Sequence, residues 1–166
     1  MVVDRNFLKV RKFFISIFLF LFFINISFAE NLNFEKIANL NDPWGSTFIS
    51  SNELVITEKS GKIKLINLNS KKISDVNHNL NYLEHGQGGL LDILFKDSFI
   101  YISYSENRGG GKTSTSIAKA KFDEKKLNFK NIFQANPPIN SGYHFGSRLA
   151  IKIISYLHQL EKEEKV

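Results

Sequence analysis

Cysteine is absent from all 166 residues. That excludes disulfides as a source of stability and leaves buried apolar surface to hold the fold together. Charge of one sign is also scarce. Half of the net +6 comes from Arg5, Lys9, Arg11 and Lys12 against Asp4 at the very start, and elsewhere Lys and Arg are scattered among Asp and Glu. A nucleic-acid reader gathers its cations on one stripe, so no nucleic-acid partner is expected. No helix-period pattern occurs before Lys152. A phosphate-binding loop is missing too. Gly109-Gly110-Gly111-Lys112-Thr113 has a superficial likeness to one, but it lacks the second glycine at the required spacing and no helix follows. This stretch reads as a flexible turn between neighbouring strands.

One long apolar run is present, from Phe13 to Ile24, behind the basic start. Ile26-Ser27-Phe28-Ala29 then places small residues at the two positions a signal peptidase reads, and Glu30-Asn31 is a polar mature start. Residues 1–29 therefore read as a secretory signal peptide. The alternative is an uncleaved anchor, for which the run is short of the roughly 20 residues of a full span. With the basic end held in the cytoplasm, the mature chain is expected in the periplasm or beyond, secreted and without stable membrane insertion after cleavage.

From Leu40 onward, apolar residues alternate or form short runs of strand length, each closed by Asn, Asp, Gly, Ser or Lys clusters. Phe48-Ile49 and Leu54-Val55-Ile56 are joined through Ser50-Ser51-Asn52 as a hairpin, and Ile63, Leu65 and Leu68 follow a turn at Ser60-Gly61. A second set starts at Gly88 to Phe95, turns at Lys96-Asp97-Ser98 and continues through Phe99 to Tyr104. After the glycine-rich loop come Thr113 to Phe122, a turn at Asp123 to Lys126, and Leu127 to Phe133. Two groups of about four strands at a period of about 45 residues suit the blades of a propeller. A lone sandwich would give similar spacing, so strand pattern alone leaves the two open.

Four stretches could carry chemistry. Asp42-Pro43-Trp44-Gly45 holds the only tryptophan and reads as a core aromatic in a tight turn. His85-Gly86-Gln87-Gly88-Gly89 has three glycines that allow close backbone approach or a sharp bend. Gly109 to Ser116 is the flexible turn. Ser141-Gly142-Tyr143-His144-Phe145-Gly146-Ser147-Arg148-Leu149, after Pro137-Pro138, presents a histidine between glycines at a strand entrance. There an imidazole can serve as a general base near neutral pH.

Taken in order, five motifs carry a resemblance: Pro43-Trp44-Gly45, Thr57-Glu58-Lys59-Ser60-Gly61, Gly86-Gln87-Gly88-Gly89-Leu90-Leu91-Asp92, Tyr101-Ile102-Ser103-Tyr104-Ser105 and His144 to Leu149. The chain resembles the pyrroloquinoline-quinone (PQQ)-dependent soluble sugar dehydrogenases, the glucose/sorbosone dehydrogenase family, and within it the aldose-specific branch. The resemblance spans roughly Leu40 to Lys152. It implies an all-β fold, with residues 30–152 forming two blades and the start of a third of an exported six-bladed β-propeller. It also implies oxidation of an aldose C1 hydroxyl to a lactone, with PQQ and calcium as cofactors and an external electron acceptor. His144 falls on the family's catalytic base, and Gln87 on a glutamine lining the sugar and cofactor site. Arg148 and Tyr143 are expected at that same site. Tyr143 stands where the family usually has asparagine or aspartate, which implies an altered sugar preference. No metal ligand is expected in this stretch, because the calcium ligands and most quinone-holding cations belong to later blades.

A complete propeller needs about 250 to 300 residues, so this chain alone is expected to expose an unpaired sheet edge and to lack dehydrogenase activity. The atypical segment 153–166 has two readings: a solvated helix ending in charge, or out-of-frame peptide after a frameshift just past Lys152. A non-catalytic exported β-repeat binding module, with His144 only a loop histidine, is the alternative to the enzyme. N-terminal sequencing of the protein recovered after export is expected to begin at Glu30; an intact Met1 would show an uncleaved anchor.

Overall fold

The computed structural model describes residues 32–146 and 148–151, so the leader at 1–29 and the segment 153–166 lie outside the described residues. The chain divides into two units, Met1–Lys36 and Ile37–Val166, and all described strands belong to the second. They are β1 (Pro43–Ser50), β2 (Glu53–Glu58), β3 (Lys62–Asn67), β4 (Ile73–His78), β5 (Leu90–Lys96), β6 (Phe99–Asn107), β7 (Thr113–Lys121), β8 (Lys126–Leu127) and β9 (Lys130–Gln134). Among the described residues no helix is long and apolar enough to cross a membrane.

Turn chemistry sets the hairpins. β1 meets β2 with Ser50 opposite Glu53, across Ser51-Asn52. β2 meets β3 with Glu58 opposite Lys62, and Gly61 takes the left-handed φ of 98° that closes this three-residue loop. β5 and β6 join at Asp97-Ser98, both at positive φ, as a two-residue type I′ turn requires.

Strand order is β1-β2-β3-β4-β8 in one sheet and β5-β6-β7-β9 in the other. Apart from β8, each sheet is an antiparallel meander of consecutive strands, with none of the Greek-key exchange of a sandwich. This decides in favour of successive blade-like units. The structure adds one strand and divides another. β4 carries only Ile73 and Val76 as apolar residues, too few to stand out in the sequence. The run Leu127 to Phe133 is split: Lys126-Leu127 pairs in parallel with Asn77-His78 of the first sheet, and only Lys130–Gln134 joins the second.

One core lies between the sheets, built from Val55, Ile63, Leu65 and Val76 of the first and Leu90, Ile93, Ile100, Ile102, Tyr104, Ala118 and Ala120 of the second, with Leu127 and Phe129. Each of its larger aliphatic side chains contributes about 1.5–3 kcal/mol on burial. The sheets come into close backbone contact at Gly45. A Cβ there would lie 2.8 Å from Asp92 Cα and from the Leu91 carbonyl oxygen, so β1 and β5 touch backbone to backbone. The fully buried Thr57 hydroxyl locks this contact, accepting from the Gly45 N–H at 3.0 Å and donating to the Leu91 carbonyl at 2.6 Å. Trp44, expected in the core, is instead 44% exposed. It alternates with inward-facing Gly45 on β1, so the glycine takes the buried position and the indole faces away.

Thr57→Val keeps the shape but strands a buried N–H and a buried carbonyl, and is expected to lower unfolding stability by about 2 kcal/mol. Gly45→Ala, which cannot fit without parting the sheets, is expected to cost more. Denaturant midpoints of the two variants check both.

Candidate functional site

Four loops meet at the end of the sheets where β2 and β6 finish and β5 and β7 begin. Residues 59–61 join 82–90 through Tyr82 Oη, which donates to the Ser60 carbonyl (3.0 Å), and Leu90 N–H, which donates to the Lys59 carbonyl (3.2 Å). The 82–90 segment is tied to β6 by Ser105, whose hydroxyl accepts from Gly89 N–H and donates to the Leu83 carbonyl, both at 2.7 Å. The glycine-rich loop 108–112 is joined to residues 139–141. Thr113 and Ile139 exchange backbone hydrogen bonds, and Thr113 Oγ1 donates to the Ser141 carbonyl at 3.1 Å.

The stretch around His144 lies directly against the 85–88 turn. Gln87 N–H donates to the Gly142 carbonyl at 2.7 Å, and the backbones are so close that a Cβ at Gly86 would stand 2.4 Å from that oxygen. A Cβ at Gly142 would meet the His85 ring at 2.7 Å, and one at Gly88 would meet the Phe145 ring at 3.0 Å. These glycines permit a contact that no larger residue allows. His144 itself has a left-handed φ of 65°, uncommon outside glycine. Its N–H donates to Gln87 Oε1 at 3.1 Å.

The expected site residues are thus brought together. His144, Gln87 and Tyr143 lie on the 85–88 and 141–146 segments with their side chains exposed, and the rings of Tyr143 and His144 are 6.4 Å apart. Arg148 follows on the same segment, 86% exposed, with Nη1 3.6 Å from Asp92 Oδ1. Asp92, not singled out from the sequence, is the further participant. Its other oxygen accepts from Leu149 N–H at 2.7 Å. The signal was there to be read: a carboxylate inside the apolar run Leu90-Leu91-Asp92-Ile93-Leu94 needs a partner wherever the strand is buried. Among the described residues no group of three or more His, Asp or Glu side chains is placed to hold a metal ion.

Beneath the 108–112 loop, Glu106 accepts hydrogen bonds from Ser116 Oγ (2.6 Å), Asn131 Nδ2 (2.9 Å) and Gln134 Nε2 (2.7 and 2.9 Å), and lies 3.8 Å from Arg108. Tyr104 Oη donates to Asn131 Oδ1 at 2.7 Å. Burial pushes the Tyr104 phenol up to about 12, the bond to Asn131 opposes this, and the Glu106 charge adds to the rise.

Sheet after sheet of antiparallel meander, with a histidine loop at the strand entrances, defines a blade-built β protein with an exposed polar site at one end. Residues 40–158 match Glucose / Sorbosone dehydrogenase, and the chain belongs to that family. Aldose sugar dehydrogenase YliI of Escherichia coli is 29% identical over 127 residues, covering 71% of this chain and 34% of the relative. The crystal structure of the soluble aldose sugar dehydrogenase from Escherichia coli in the apo-form superimposes with a TM-score of 0.62 at 30% identity, over 68% of this chain and 35% of that one. The PQQ-bound aldose sugar dehydrogenase of Streptomyces coelicolor shares the fold at 18% identity, with a TM-score of 0.52 over 60% of this chain and 32% of that one. The chain spans about a third of the length of the relatives it matches.

The raised Tyr104 has a defined linkage. The folded state keeps a proton that the unfolded chain releases near pH 10, so its contribution is fully present below pH 10 and is lost as pH climbs toward 12. Stability measured across this range is expected to fall more steeply in the native sequence than in Tyr104→Phe.

Proposed function

We propose that this chain carries the proton-accepting part of the active site of a PQQ-dependent aldose dehydrogenase, an exported, periplasmic six-bladed β-propeller that oxidises the C1 hydroxyl of an aldose to a lactone. The observation that carries this reading is the joining of His144 to the 85–88 turn, where the Gln87, Tyr143 and His144 side chains are all exposed.

The His144 imidazole accepts the C1 hydroxyl proton as hydride leaves C1. When bound, the quinone supplies the two-electron acceptor, and an external acceptor reoxidises it. Gln87 has its oxygen engaged by His144 N–H but keeps two amide N–H donors for a sugar oxygen or a quinone carbonyl. The exposed Arg148 guanidinium suits a carboxylate, so the donor set fits an anionic, carbonyl-rich cofactor. Calcium requires oxygen ligands from elsewhere in a protein of family length. Tyr143, large and exposed, offers a ring face and a hydroxyl to a pyranose, which supports an altered choice of sugar.

The test is dye-linked oxidation of an aldose panel with PQQ and calcium. It compares this chain alone with a chimera in which residues 40–149 replace the matching third of the Escherichia coli aldose sugar dehydrogenase. Activity is expected in the chimera only, falling by roughly a hundredfold or more in His144→Gln. A chimera indifferent to His144→Gln would leave the segment a binding surface.

A further inference from the structure

Residues 142–146 and 148–149 are held at two points, and both belong to one piece of chain. At its start, Gln87 contributes its N–H to the Gly142 carbonyl and its Oε1 to the His144 N–H. At its end, Asp92 accepts from Leu149 N–H with one oxygen and faces Arg148 with the other. Gln87 and Asp92 lie five residues apart on the turn into β5 and on β5 itself. β5, which bears Asp92 and follows the turn of Gln87, is fixed to the first sheet by the backbone contact at Gly45 and by Thr57. His144 belongs to the first point and has a left-handed conformation that a β-carbon disfavours. Such a backbone persists only where its surroundings over-determine it.

We infer that Gln87 and Asp92 are positioning residues: a two-point clamp that holds His144 in its left-handed conformation and so fixes the imidazole at the site. Gln87 then acts on the reaction through the main chain of His144, in addition to whatever its amide nitrogen binds. This rests on the reading of His144 as the base for its meaning in catalysis, but the clamp itself is testable without cofactor or sugar.

The experiment is backbone amide hydrogen exchange in this chain, read by NMR at His144, Leu149 and the core residue Ile102. Gln87→Ala is expected to speed exchange at His144 roughly three- to tenfold, the change that loss of one ordinary hydrogen bond brings, with Ile102 unmoved. Gln87→Glu keeps the acceptor oxygen and is expected to restore protection. Asp92→Ala is expected to speed exchange at Leu149, and Asp92→Asn to spare it. In the chimera, both Gln87 variants lose the amide donors and should raise KM, but only Gln87→Ala, which also loses the oxygen that holds His144 N–H, should lower kcat as well. His144 exchange indifferent to Gln87→Ala, protection lost at Ile102 alongside it, or a rise in KM alone in both Gln87 variants would each overturn the clamp. A clamp that fails these measurements leaves the His144→Gln result standing, and an inactive chimera leaves the exchange result standing.

Discussion

The backbone contact between β1 and β5 at Gly45 is the constraint on which the rest of the structure depends. It needs a residue without a side chain on one strand and a hydroxyl, Thr57, that can receive a proton from one sheet and give one to the other. With the strands at this distance, the end of β2 reaches the start of β5. A Cβ at Gly89 would come within 2.1 Å of the Lys59 carbonyl oxygen, and Gly89 takes a φ of 143° that suits glycine. The height of the 85–88 turn follows, and the turn carries the His144 segment. An alteration at Gly45, deep between the sheets, is therefore transmitted to the site through rigid backbone.

The site divides its labour between order and availability. Main-chain groups and the side-chain oxygens of Gln87 and Asp92 are spent on internal hydrogen bonds. The His144 ring, the Gln87 amide nitrogen and the Arg148 guanidinium are left on the exposed surface. Orientation fixed in advance is worth more to a reaction than an additional loose contact, because the cost of ordering is met on folding. The Glu106 cluster does the same for the neighbouring loop. It places Arg108 against Ser114 and Asn136 and leaves Gly109 and Gly110 in open space.

Much of this was legible in the sequence, where a residue's role followed from local pattern. The type I′ turn at Asp97-Ser98, the Gly61 loop and the alternation of β6 and β7 are local. The family, by contrast, was legible only from the order of the motifs, that of His144 included. What escaped depended on distant partners. β4 has so little apolar content that only its neighbour β3 makes it a strand, and β8 leaves its own sheet to pair with another. Trp44 was placed inside because indoles are mostly buried, but the strand's period gives the inner position to Gly45. The use of the Gln87 oxygen by a main-chain group 57 residues away, and the double role of Asp92, have no expression in spacing.

The parallel pairing of β8 with β4 has a consequence for the order in which the sheets can be completed. The outer edge of the first sheet is closed by Lys126-Leu127, which emerge after most of the second sheet has been made. Asn79 then reinforces the seam through two hydrogen bonds to the main chain of Phe129. The first sheet is thus capped by chain that follows the second, while β9 is exposed along its whole length. A chain cut short before Lys126 would leave that edge of the first sheet without its cap, open to pairing with another chain.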